Sequence, residues 1–140
     1  MKSKPILLFI ISLCLVLPIG HLAAQDGTPA APTAAESEPN DTLATADPVT
    51  IGDTTAAITP VGDVDNFRLS LSAGQRVYLA ALVDSEYVLL ELALYDAGGA
   101  PIDSAIYYWL GNEVVLSFVA PTTANYYVRV ASDGDSWDPD

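Results

Sequence analysis

Six oxygen-bearing side chains in two short stretches are best placed to do chemistry: Glu36, Glu38, Asn40 and Asp41 in the first, Asp63 and Asp65 in the second. Asp63 and Asp65 straddle one valine, so in an extended strand they point to the same side. Pro39 stiffens the first stretch. A hard divalent cation such as calcium takes about six to eight oxygens, and carboxylates close together in sequence supply several of them. Neither stretch closes such a shell alone; the two together can. A plainer reading makes Asp63 and Asn66 turn formers and lets the upstream acids solvate a linker. No complete EF-hand loop is present. Spacing leaves both readings open.

Composition narrows the chemistry further. Lys2 and Lys4 precede an apolar run from Ile6 to Ile19, and Ala23 and Ala24 follow. This is the pattern of a secretory signal peptide over residues 1–24, cut after Ala24. A membrane-spanning helix needs about 20 apolar residues, whereas this run is shorter and is broken by Pro18. Cys14 follows Leu13 rather than a small residue, which argues against lipidation. Cleavage removes the one Cys, the one His (His21), the one Met and both lysines. A Ser-His-Asp or Cys-His catalytic apparatus is then excluded, as are a zinc site with Cys or His ligands and a disulfide. Arg68, Arg76 and Arg129 remain against 18 acidic residues, a formal charge of −15. Such a surface repels nucleic acid and anionic lipid. The expected setting is extracellular or at the cell surface, with no membrane association after cleavage.

The elements that must position the acids read as strands. Residues 25–35 are rich in Pro, Ala and Thr without a bulky apolar side chain, the composition of a linker. The folded domain is expected over residues 36–132 and an acidic tail over 133–140. The one loosely helical piece, at 41–46, is stopped by Pro48. Phe67, Leu69 and Leu71 alternate with Arg68 and Ser70, the period of a half-buried strand. Val77, Leu79, Ala81 and Val83 repeat the pattern, as do Val88, Leu90, Leu92 and Leu94. Further strands are expected at Ile102 to Leu110, Glu113 to Val119 and Asn125 to Val130, with a short early one at Thr55 to Thr59. Turns fall at residues 72–75, 97–101 and 120–123. Short, regularly spaced strands predict an all-β chain, an antiparallel β-sandwich or jelly roll.

Two other groups of residues carry functional readings. If Ile106, Tyr108 and Leu110 face the core, Tyr107 and Trp109 face outward, and exposed rings suit a sugar or a collagen-like partner. A neighbouring sheet or domain would cover such rings equally well. Tyr126, with Val128 and Val130, reads as core. Glu86, Glu91 and Glu113 are the carboxylates available to a small hydrolase, but each sits where a strand's solvent face or a turn predicts an acid.

Several short blocks resemble, in order, the bacterial pre-peptidase C-terminal domain. They are Glu38-Pro39-Asn40-Asp41-Thr42 followed by Ala46, then Gly62-Asp63-Val64-Asp65-Asn66-Phe67, then Leu71-Ser72-Ala73-Gly74-Gln75. Leu94-Tyr95-Asp96 with Gly98-Gly99 follows, and Ala120-Pro121 with Tyr126-Tyr127-Val128-Arg129-Val130 closes the series. The resemblance spans Glu36 to about Ser132. It implies an exported β-sandwich accessory module without catalytic residues, associated with secreted peptidases or other exported enzymes. Collagen-binding modules of clostridial collagenases are similar, and by that likeness calcium joins Glu36, Glu38, Asn40 and Asp41 to Asp63 and Asp65. The partners implied are an extracellular polymer, polysaccharide or collagen-like, or an exported peptidase. Similar domains end on a further strand of Tyr-x-Leu-x-Val character. Residues 133–140 do not supply one, so the resemblance implies either a chain cut short or a sheet with an unfilled edge.

Overall fold

A computed structural model of the chain describes residues 6–10, 34–50, 52–56, 62–83, 90–107 and 113–132. The elements among them are all strands: β1 (Ile6–Ile10), β2 (Ala34–Ala35), β3 (Asp47–Val49), β4 (Gly52–Ala56), β5 (Val64–Leu71), β6 (Arg76–Val83), β7 (Leu90–Tyr95), β8 (Pro101–Tyr107), β9 (Glu113–Val119) and β10 (Ala124–Ser132). They form two five-stranded sheets, in the orders β2-β4-β1-β6-β9 and β3-β5-β10-β7-β8. Most neighbours are antiparallel; β2 on β4 and β3 on β5 are parallel.

Period-two alternation builds the core. Phe67, Leu69 and Leu71 of β5, Leu90, Leu92 and Leu94 of β7, and Tyr126, Val128 and Val130 of β10 line the inner face of one sheet. Val77, Leu79 and Ala81 of β6 with Val114 and Leu116 of β9 line the other, and all belong to one buried cluster. Facing sheets that interdigitate in this way make a sandwich, and each large side chain so buried stabilises the fold by about 1.5–3 kcal/mol. Tyr126 is held at both ends: its ring meets Phe118 edge-on at 5.0 Å, and its hydroxyl donates to the Thr122 carbonyl at 2.9 Å.

Several boundaries differ from the sequence expectation. The early strand runs Gly52–Ala56 rather than from Thr55, and residues 57–60 lie outside the described ones. The loosely helical piece is a closed turn, with Thr45 N–H donating to the Thr42 carbonyl at 3.0 Å. It leads into β3, an edge strand, where Pro48 is tolerated because no sheet partner needs its missing N–H. In β8 Ile106 faces outward, 47 % exposed, and the small Ala105 packs on the core. Residues 6–10, within the stretch expected to be a leader, lie in a sheet, as β1 between β4 and β6.

Two turns require left-handed backbone. Gly74, at φ +80°, donates its N–H to the Ala120 carbonyl at 2.7 Å and so ties the 72–75 turn to the segment after β9. Gly99, at φ +81°, closes the β7–β8 turn around Asp96, whose Oδ1 accepts from the N–H groups of Gly98 and Ala100, both at 2.8 Å. A Cβ on Gly74 would meet nothing within 4 Å, whereas one on Gly99 would lie 3.1 Å from Leu43 Cδ1. Gly74→Ala should therefore cost only the left-handed penalty of about 1–2 kcal/mol. Gly99→Ala should cost measurably more, because the Leu43 turn must also shift. Urea denaturation of the two variants checks the order; equal losses would mean that Leu43 gives way freely.

Candidate metal centre

Alternation along β5 decides where Asp65 goes. It shares the inward phase of Phe67, Leu69 and Leu71 and is fully buried. Asp63 precedes the strand at 7 % exposure, with its Oδ1 accepting from Val64 N–H at 3.0 Å. Asn66, on the opposite phase, donates both its backbone N–H, at 3.1 Å, and its side-chain Nδ2, at 2.9 Å, to the Asn40 carbonyl. That double contact seats the first acidic stretch on the edge of β5. Ser37 N–H to Asp47 Oδ2 at 2.6 Å and Asn40 N–H to Glu38 Oε2 at 3.1 Å fix it further.

The two stretches meet. Glu36, Glu38 and Asp65 form one group and Glu38, Asp41 and Asp63 another. In each group, one carboxylate oxygen per residue lies within 4.8 Å of the others. Glu38 belongs to both. Asn40, the sixth expected residue, is fully buried, and its Oδ1 and Nδ2 have no hydrogen-bond partner.

The electrostatics are unfavourable without a positive charge or a proton. Neither Asp65 oxygen accepts a hydrogen bond of ordinary geometry. Burial first, then the facing Glu36 carboxyl and the charges of Asp63 and Glu38, push Asp65 up to about 9. Glu38 is also raised, by desolvation and by Asp63, Glu36 and Asp41, with Asn40 N–H acting in the opposite direction. A buried carboxylate of this kind is settled by a proton or by a cation. The donors are all oxygens, the set that hard divalent ions prefer. Orphaned oxygens on Asp65 and Asn40 fit such an ion.

The remaining expected residues stand apart. Trp109 and Glu86 lie outside the described residues, and so does the Tyr107 side chain. Glu91 lies on β7 and Glu113 on β9, in different sheets. Sequence reasoning missed the exposed apolar side chains Tyr78, Val115 and Val119 on one sheet and Ile102 and Ile106 on the other. Their signal was an apolar residue on both phases of a strand, as in Val114-Val115-Leu116.

No family model and no curated protein matches this chain.

Unfolding restores Asp65 to an ordinary carboxyl titrating near pH 3.9, while in the fold it titrates at about 9. A group raised in this way stabilises the fold fully below its unfolded pKa, and that contribution is lost as pH rises through the folded value. In chelator, stability should therefore fall as pH rises between about pH 5 and pH 8. Asp65→Asn keeps the shape without the charge and should flatten the slope. Denaturation curves at several pH values read both effects; an unchanged slope in Asp65→Asn would assign the titration elsewhere.

Proposed function

We propose that this chain is an exported, non-catalytic β-sandwich module that calcium stabilises, an accessory domain of the pre-peptidase C-terminal kind. The observation that carries this reading is the fully buried Asp65 carboxyl, facing the Glu36 carboxyl at the meeting point of acids from two separated stretches. Calcium supplies the positive charge that the site lacks and accepts the oxygen donors present. Glu36, Glu38 and Asp65 would hold one ion; Glu38, Asp41 and Asp63 would extend the shell or hold a second. Asn40 adds a neutral oxygen. Bound calcium would clamp the segment at 36–41 to the start of β5, and through β5 to the core.

The module works by attachment rather than by turnover. It serves an exported enzyme or holds an extracellular polymer, and its outward apolar side chains supply contact area on both sheets. The leader pattern and the acidic composition support an extracellular setting.

Calorimetry tests the calcium reading. An ion that binds only the folded state at about 100 times its Kd adds about 2.7 kcal/mol, which for a domain of this size raises Tm by roughly 10 °C or more. Millimolar calcium should produce that rise over chelator, and Asp65→Asn should abolish it. Equal melting temperatures in calcium and chelator would refute the proposal.

A further inference from the structure

Residues with the pattern of a removable leader occupy an interior position of a sheet. Ile6–Ile10 pairs antiparallel with β4, from Ile6↔Ala56 to Ile10↔Gly52. On its other side it pairs antiparallel with β6, from Ile6↔Val83 to Phe9↔Ala80. Among the described residues no pairing joins β4 to β6 directly, and β4 otherwise pairs with the two residues of β2. Removing β1 therefore leaves two sheet edges facing one another, each with unsatisfied backbone groups. Since β4 and β6 run in the same direction across the gap, closing it would need a new parallel pairing in place of two antiparallel ones.

We propose that, once the leader is cleaved, the gap between β4 and β6 is a strand-acceptor groove that takes an extended apolar segment of a partner polypeptide. The inference rests on the exported reading given above. Its occupant is specified by the geometry. It spans about five residues, runs antiparallel to both neighbours, and hydrogen-bonds along both edges. It must therefore be a single segment not already in a sheet, such as a terminus or an interdomain stretch. A second copy of the cleaved chain fits poorly, because a strand already paired on one side satisfies one wall of the groove alone. The strand paired there reads Ile-Leu-Leu-Phe-Ile, apolar in sequence throughout. Basic flanking residues, like Lys2 and Lys4 before β1, suit a surface of formal charge −15.

The test uses the full chain with a protease site placed within residues 25–33, cut after folding. The probe is a fluorescent peptide of residues 2–11. The peptide should replace the severed leader at one per chain, with amides of β6 that face the groove protected at least tenfold against hydrogen exchange. The same peptide carrying Leu8→Pro should bind at least tenfold more weakly, because proline removes a ladder N–H. The uncut chain carrying Leu8→Pro should also take up the unsubstituted peptide, which covers the case of a severed leader too slow to leave. The groove is refuted if neither protein takes up the peptide, if the proline peptide binds equally well, or if the cut chain sediments as a dimer that excludes the peptide. Whether the leader is removed is read separately, from the mass of the exported chain, so failure of that reading is distinguishable.

Discussion

Burial of a carboxylate on the core-facing phase of β5 is the constraint around which the N-terminal stretch of the domain is arranged. Every other inward residue of that strand is apolar, and Asp65 alone brings a charge to the inner face. Transfer of an ionised carboxylate out of water is costly unless something compensates it. Among the described residues no arginine or backbone amide hydrogen-bonds to it. What faces Asp65 is another acid, Glu36, with Glu38 and Asp63 close behind. The position calls for a proton or a cation, and the cation is the reading proposed above.

The scaffold divides the work of holding that site. Backbone and amide contacts set the geometry: the Asn40 carbonyl takes two hydrogen bonds from Asn66, and Ser37 is tied to Asp47 at the start of β3. The side chains left over then project toward one another. Core alternation on β5, β10 and β7 supplies the rigid wall against which this happens, since β10 pairs with β5 along eight residues from Ala124↔Leu71 to Ala131↔Val64. An ion held partly by β5, an interior strand, and partly by the clasped segment would couple its binding to the stability of the sheet.

Much of the fold was legible in the sequence, because alternating strands announce themselves through their own side chains. Phe67, Leu69 and Leu71 could be assigned to one face without knowing any partner. Asp63 and Asp65 were legible as a pair for the same reason. Their neighbours were less so: the approach of Glu36 and Glu38 depends on Asn66 donating to Asn40, and an asparagine beside a turn reads equally well as a turn former. The phase of β8 was not legible, because Ala105 and Ile106 are both apolar; the inward place goes to the small Ala105. The strand at Ile6–Ile10 was invisible to pattern reading, since an apolar run behind two lysines is read as a leader before it is considered as part of a sheet.

The account stands on a cation coordinated by Asp65 together with Glu36 and Glu38. Diffraction from crystals grown in calcium, recorded at a wavelength where calcium scatters anomalously, tests it most directly. The account predicts an anomalous peak about 2.3–2.6 Å from oxygens of all three residues. A map without a peak there, at calcium concentrations in the millimolar range, would contradict it.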